Sequence, residues 1–563
     1  MIRMTGAQII TRLLERQGIH TVAGIPGGAN LPLYDALSQS RRIRHVLPRH
    51  EQGAGFIAQG MARVTGLPQV CLATSGPGAT NILTALADAK LDSIPLVCIT
   101  GQVPSTMIGT DAFQEVDTYG MSIPATKHNF LVRSAADLLK VVPESFRIAS
   151  SGRRGPVLID VPKDVQLEVA EFETWPEPGR PDPAPVFDPA DVEHAARLIN
   201  SARRPILCLG GGVIHSGAGE FAVSLAERAS MPTAMTLMGL GAMPTDHPYA
   251  IGMLGMHGAR YTNLALEECD LLLVVGARFD DRATGSVAHF CPNAAIIHID
   301  IDRSEIDKIK TAHVGIVGDA RDVLEALLPM LEERHRAEWI ARVHALRQQH
   351  PLHLPGADDP RTPYGLIACV ARLLGDDAIV VTDVGQHQMW TAQAYPFRQP
   401  GHWLTSGGLG TMGFGLPAAI GAALARPDAN VVSFSGDGSL MMNIQELATA
   451  VEQEANVKII LVNNNSLGLV RQQQDLFYGS RIYATDFKSP VDFVKVAEGF
   501  GMKAYDLQTS DDIQAMLQSA FAEQGPCLIH APIDPNDKVY PMVRPGAANT
   551  DAIGGEIHVQ AHA

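Results

Sequence analysis

Two short polar groups, Gly436-Asp437-Gly438 and Asn463-Asn464, are separated by 24 residues, and each follows an apolar run of strand length, VVSFS at 431–435 and KIILV at 458–462. A strand–helix–strand crossover returns both strand ends to one edge of a sheet. Asp437 and Asn464, 27 positions apart, can therefore meet. A carboxylate, an amide oxygen and a nearby backbone carbonyl make a hard-oxygen set of the kind Mg²⁺ takes, leaving positions for water and substrate phosphates. The glycines beside Asp437 let the backbone approach a ligand, and the N–H groups opening the helix predicted over 439–453 can bind a diphosphate. Either group alone reads as a turn or a loop; the placement at two strand ends gives them chemistry.

The elements that would position these groups are legible along the chain. Apolar runs of strand length alternate with helical segments at 69–74, 96–100 and 157–161, again at 205–209, 271–276 and 296–300, and again at 378–382, 431–435, 458–462 and 527–530. Near-continuous apolar strands separated by helices indicate parallel sheets covered on both faces. The fold class predicted is α/β, with three doubly wound parallel-sheet domains at 1–170, 190–330 and 364–550. Proline-rich and turn-rich linkers at 171–189 and 331–363 divide them. Ligands are then expected beyond the carboxyl ends of strands. The 563 residues are 46% hydrophobic and 18% charged, which excludes a disordered or fibrous chain. With 44 Lys and Arg against 60 Asp and Glu, the net charge of −16 argues against nucleic acid and anionic membrane as partners. Seven scattered cysteines without a C-x-x-C pair, and the lack of a long apolar stretch or secretion signal, give a cytoplasmic chain as the expectation.

The Gly-Asp-Gly and Asn-Asn pair resembles the motif of the thiamine-diphosphate-dependent decarboxylases, oxidases and carboligases. That resemblance implies that Asp437, Asn464 and the Ser466 carbonyl hold Mg²⁺ against the cofactor's diphosphate. Gln386 and His387 in DVGQHQMW, with Gly438, Ser439 and Leu467, would line the same site. In TSGGLGTMGFGLP at 405–417, the resemblance implies that Gly410 contacts the aminopyrimidine and that Met412 wedges beneath the cofactor; taken alone, Met412 reads as core filling. Thiamine chemistry also needs a carboxyl on the aminopyrimidine, in a dry setting that raises its pKa. Glu51, in RHEQGAG at 49–55, matches the activating glutamate, although by itself it reads as a helix-start acid. In these enzymes the glutamate and the diphosphate site come from different subunits, which implies at least a homodimer.

Over nearly its whole length the chain resembles the acetohydroxyacid (acetolactate) synthase family. The segments carrying this are GIPGG at 24–28, RHEQGAG, TSGPGATN at 74–81, GTDAFQEVD at 109–117, GMLGMHG at 252–258, GARFDDR at 276–282 and 411–417. The implied reaction decarboxylates pyruvate and transfers the two-carbon unit to a second 2-ketoacid. Pyruvate as acceptor gives 2-acetolactate, and 2-oxobutanoate gives 2-aceto-2-hydroxybutanoate, opening branched-chain amino-acid synthesis. By resemblance Gly28 and Gln114 line the reaction centre, Phe113 and Lys163 approach substrate, and Arg282 pairs with the acceptor carboxylate. An ion pair with Asp280 or Asp281 is the plainer reading of Arg282. Many members carry Trp where this chain has Gln473; that ring helps prefer the extra methyl of 2-oxobutanoate, so weak discrimination is expected.

The second block has Gly210-Gly211-Gly212 after a strand, but His215 occupies the third glycine position of the dinucleotide fingerprint. The resemblance nonetheless implies FAD, contacted by Arg153, by His257 and Arg278 in one segment, and by Asp300 and Asp319 in another. Sister enzymes stay open as alternatives: a flavin-free catabolic acetolactate synthase, a glyoxylate carboligase or a pyruvate oxidase. So does a nucleotide-binding scaffold that kept the fold without the chemistry. The family commonly pairs with a small regulatory subunit and forms dimers or dimers of dimers.

Overall fold

In the computed structural model, which describes residues 1–554, the apolar runs become parallel strands whose side chains are buried on both faces. Among the described residues they form three six-stranded, wholly parallel sheets. In spatial order the first is Arg44–Val46, Thr21–Gly24, Gln69–Ala73, Leu96–Gln102, Pro156–Pro162 and His128–Leu131. Numbered along the chain, that order is 2-1-3-4-6-5. The third sheet repeats it with Trp403–Leu404, Ile379–Thr382, Val431–Gly436, Val457–Asn463, Cys527–Pro532 and Lys503–Asp506. The middle sheet differs: Ala250–Met253, Thr233–Met235, Pro205–Leu209, Leu271–Val275, Ala295–Asp300 and Val314–Val317 have the order 3-2-1-4-5-6 of dinucleotide-binding folds. The three doubly wound α/β units expected from the sequence are present.

Strand alternation divides the cores. Val70 and Leu72 face a cluster with Ile9, Leu14 and Ile159, whereas Cys71 and Ala73 face one shared with Val381, Ile459 and Leu461 of the third sheet. That shared core is built around two crossing helices, Glu51–Thr65 and Gly415–Ala425. A Cβ on Gly60 would lie 2.0 Å from the Ala418 carbonyl oxygen, and one on Gly421 would lie 2.0 Å from that of Ile57, so glycine is what lets these helices touch. Phe56 and Phe414 stack edge to face beside the crossing, 5.3 Å between centroids.

Two connecting segments are docked. Val169–Phe172 pairs antiparallel with Ile2–Thr5, after which the next helix is Pro189–Ser201. Between the second and third sheets, helix Ala337–Gln349 inserts Trp339, whose Nε1 donates to the Pro205 carbonyl at 3.0 Å, and Arg336 donates to the carbonyls of Ala202 and Ile199. The single helix predicted over 439–453 is instead two, Asp437–Leu440 and Glu446–Glu452. Asn443 lies in the break and donates from Nδ2 to the Gly413 carbonyl at 2.7 Å, an interaction with the loop opposite that the helix pattern does not reveal. All seven cysteines are buried and free, and no described helix is long and apolar enough to cross a membrane.

Candidate active site

The third sheet reverses its strand order between Ile379–Thr382 and Val431–Gly436, and ligands settle at such a switch. Gln386 and His387 follow the first strand, Asp437 the second, and Val457–Asn463 delivers Asn464 beside them. The two halves of the sequence motif do meet. The Asp437 carboxylate faces the backbone N–H groups of Gly438, Asn465 and Ser466. Asn464 Oδ1 accepts from Ser466 N and Oγ, both at 3.1 Å, while its Nδ2 donates to Gln386 Oε1 at 3.0 Å. Ser439 Oγ donates to the Gly436 carbonyl, and a Cβ on Gly438 would lie 2.6 Å from Leu467 Cδ2.

Buried polar groups are almost always paired. Here Asp437 Oδ2 and His387 Nε2 are buried with no hydrogen-bond partner among the described residues. Burial pushes the Asp437 carboxyl up to about 6 against the opposing pull of the N–H groups, and it pulls His387 down to about 3, leaving a neutral imidazole. Two unpartnered polar atoms at one sheet edge, beside N–H groups, fit a metal-bound diphosphate. The described residues contain no cluster of three or more His, Cys, Asp or Glu suited to a metal. A carboxylate and an amide oxygen, with a backbone carbonyl, are the kind of oxygen set that Mg²⁺ accepts.

The glycine loop beside this edge is pinned by acids the sequence did not single out. Asp383 accepts from Val384 N and Gly413 N through Oδ1, both at 2.8 Å, and from Gly415 N through Oδ2 at 3.0 Å. From the first unit, Asp92 accepts from Gly407 N and Gly408 N at 3.1 and 2.7 Å. Asp88 accepts from Ser406 Oγ and, at 2.8 Å, Thr411 Oγ1. Arg63 lies 2.7 Å from Asp92 and 3.6 Å from Asp88, and burial lifts Asp88 to about 6. Gly410, at φ +70°, and half-buried Met412 are thus carried on a fixed loop.

The remaining candidates form a second group at the carboxyl ends of the first sheet. Gly28 follows Thr21–Gly24, Glu51 follows Arg44–Val46, Phe113 and Gln114 follow Leu96–Gln102, and Lys163 follows Pro156–Pro162. Glu51 opens its helix behind the N-cap His50, whose Nδ1 accepts from Gln52 N at 3.0 Å. Glu51 Oε2 accepts from Asn81 Nδ2 at 3.0 Å, and the residue is only half-buried. Gln114, at φ +59°, sits against Gly76, where a Cβ would lie 2.9 Å from the Gln114 Cα. Phe113 is 88% exposed. A further acid, Glu446, reaches from the third unit to the Arg49 and His50 N–H groups.

The middle sheet has its own switch, between Pro205–Leu209 and Leu271–Val275. A cavity of about 510 Å³ opens there, lined by Arg153, Gly211, His215, Arg278, Asp300 and Asp319 among others. Arg153 is held by Glu305 at 2.6 Å, Asp302 at 3.4 Å and Ser93 Oγ at 3.0 Å. Burial raises Asp300 to about 6. A second cavity, about 490 Å³, shares Thr236, Met238, Arg278 and Asp280 with the first and runs to Gly410. The two cavities adjoin at these four residues. His257 lines the second cavity and not the first; its Nδ1 lies 3.1 Å from the Pro541 carbonyl, and burial pulls it down to about 4. Arg282 and Gln473 both line the second cavity, which includes no residue of the Glu51 group. Arg282 is 3.7 Å from Asp281, both largely exposed, so that contact leaves the guanidinium free for an anion.

Comparison with known proteins gives the family. Residues 4–121 match the thiamine pyrophosphate enzyme N-terminal TPP binding domain, 192–327 the central domain and 383–531 the C-terminal TPP binding domain. The chain belongs to the thiamine pyrophosphate enzymes. Within that class it is 61% identical to the acetolactate synthase isozyme 1 large subunit of Escherichia coli, over 98% of both chains. It is 46% identical to the isozyme 2 large subunit of the same organism, over 98% of this chain and 99% of that one. A probable acetolactate synthase large subunit of Methanocaldococcus jannaschii is 44% identical, over 98% and 95%. The chain is a member of the acetolactate synthase large-subunit family.

Proposed function

We propose that this chain is the catalytic subunit of an acetolactate synthase, joining pyruvate to a second 2-ketoacid with thiamine diphosphate, Mg²⁺ and FAD. The observation that carries the reading is the meeting of Asp437 and Asn464 at a sheet edge that also holds two unpartnered buried polar atoms. Bound thiamine diphosphate supplies the electron sink for decarboxylation and carbon–carbon bond formation. Asp437, Asn464 and the Ser466 carbonyl would hold Mg²⁺. His387, Gln386, Gly438, Ser439 and Leu467 would surround the diphosphate, and Gly410 and Met412 would carry the organic part. Burial holds His387 well below its ordinary value, so a neutral imidazole would offer a hydrogen bond to the diphosphate without adding charge.

Glu51 would hold the aminopyrimidine proton. Its half-exposed position in a single chain is consistent with an environment completed by a second copy, as in a homodimer or dimer of dimers. Gly28, Phe113, Gln114 and Lys163, on the same sheet end, would then orient the ketoacid and exclude water. Arg282 would pair with the acceptor carboxylate, and Gln473, which lines the same cavity, would offer no aromatic contact to the methyl of 2-oxobutanoate. The cavity lined by Arg153, Arg278, Asp300 and Asp319 would take FAD, with His257 in the adjoining cavity. The large-subunit names of the relatives support a small regulatory partner, and the composition supports a cytoplasmic enzyme.

The test is purified chain with pyruvate, thiamine diphosphate and Mg²⁺, with and without FAD, scored for acetolactate. Acetolactate formation that requires both the diphosphate cofactor and a divalent ion is expected, from a yellow protein. Oxygen consumption with pyruvate, or full activity in a colourless preparation, would instead favour an oxidase or a flavin-free sister.

A further inference from the structure

Glu446 is fully buried in the helix Glu446–Glu452 of the third unit, yet its carboxylate is committed to the first unit. Its Oε1 accepts from Arg49 N at 3.0 Å and His50 N at 3.1 Å, and Oε2 accepts from Arg49 N at 3.2 Å and Thr449 Oγ1 at 2.7 Å. The two N–H groups belong to the residues immediately before Glu51, at the positive end of its helix, where a carboxylate is favoured. Gly53 is shaped to this contact, because a Cβ there would lie 2.4 Å from Glu446 Oε1. Two outer contacts brace the same helix against the same segment: Arg49 to Glu452 at 2.5 Å, and Arg44 to Gln453 Oε1 at 2.8 Å.

We infer that Glu446 is a positioning residue for Glu51, fixing from the diphosphate unit the direction in which the activating acid leaves its helix. The inference rests on the reading of Glu51 as that acid. Its physical basis is that among the described residues Glu51 has one side-chain hydrogen bond of its own, to Asn81, so the backbone clamp behind it sets its aim. Catalytic geometry tolerates little error, since a displacement of about 1 Å lowers rates about a hundredfold. The stretch 437–452 would thus grip its own diphosphate at one end and aim an acid at the other.

The experiment uses the assembled holoenzyme with Mg²⁺ and measures proton exchange at C2 of bound thiamine diphosphate, together with the Kd of the cofactor. Glu446→Gln is expected to slow exchange at least tenfold while the Kd stays within threefold, and Glu51→Gln/Glu446→Gln to exchange no more slowly than Glu51→Gln alone. A folded Glu446→Gln protein exchanging at the wild-type rate, or a double variant slowed by the product of the two single effects, would overturn the inference. Gly53→Ala, which pushes on the same carboxylate, provides a second route if Glu446→Gln does not fold. Slowed exchange with retained binding supports the clamp, and wild-type exchange refutes it. If Glu51→Gln itself exchanges normally, the reading of Glu51 and this inference both fall; if only Glu446→Gln does, Glu51 keeps its role and the clamp alone is lost.

Discussion

On the proposed reading Asp437 and Glu51 carry opposite burdens, one to hold an ion and the other to hold a proton, and their substitutions should separate. Asp437→Asn keeps the shape but removes the charge beside the unpartnered Oδ2, so Mg²⁺-dependent binding of thiamine diphosphate should weaken by about a hundredfold, a loss of two tenfold steps of 1.4 kcal/mol, read by calorimetry. Glu51→Gln should lower acetolactate formation by about 10²–10⁴, the range of proton-transfer catalysis, with cofactor binding near wild type. At the acceptor end, Gln473→Trp should raise the preference for 2-oxobutanoate over pyruvate by about tenfold or more, the value of a methyl in an apolar pocket, measured by competition. An unchanged ratio would remove Gln473 from the specificity pocket. The sequence disclosed Asp437 and Asn464 because strand ends fix where they must emerge. It did not disclose Glu446, Asp383, Asp88 or Asp92. Their defining partners are N–H, hydroxyl and guanidinium groups brought in largely from distant segments, and an acid on a helix or loop looks the same in sequence whether it faces water or is sealed against them.

The crossing of Glu51–Thr65 with Gly415–Ala425 couples the two cofactor-facing sheets mechanically. Gly60→Ala or Gly421→Ala would drive a methyl into a backbone carbonyl that cannot rotate away, a loss of about 1–3 kcal/mol or more, seen as a lower denaturation midpoint. Within the first sheet, Asp160 accepts from Thr100 Oγ1 at 2.7 Å and Gln102 Nε2 at 3.0 Å, and burial raises its carboxyl to about 7. The folded state therefore holds this proton more tightly than the unfolded chain. Its contribution to stability is complete below about pH 4, where the free carboxyl also holds its proton, and is lost as pH rises through about 7. Melting temperatures at pH 5 and pH 8 should accordingly differ less in Asp160→Asn than in wild type. Strands were the most legible elements, since burial on both faces leaves uninterrupted apolar runs. The predicted helix over 439–453 failed at Asn443, whose side chain answers to Gly413 across space, a contact outside any local window.

At the scale of the whole molecule, the chain's three blocks were legible from composition and strand spacing, but the shared 2-1-3-4-6-5 order of the first and third sheets was not, because spatial order depends on pairings that strand-length runs do not encode. The division of the candidate residues follows the blocks: Glu51, Gln114 and Lys163 stand at the end of the first sheet, Asp437, Asn464 and His387 at the end of the third, and the cavity reaching Gly410 is lined by neither group. If two copies each lend one group to the other, a mixed dimer gives the most direct test. Co-expressed Glu51→Gln and Asp437→Ala chains, separately tagged and isolated as the hybrid, retain one site with both wild-type halves only when the halves come from different chains. The account predicts acetolactate formation at about half the wild-type rate per dimer from a hybrid of two inactive parents. A hybrid as inactive as its parents would contradict it.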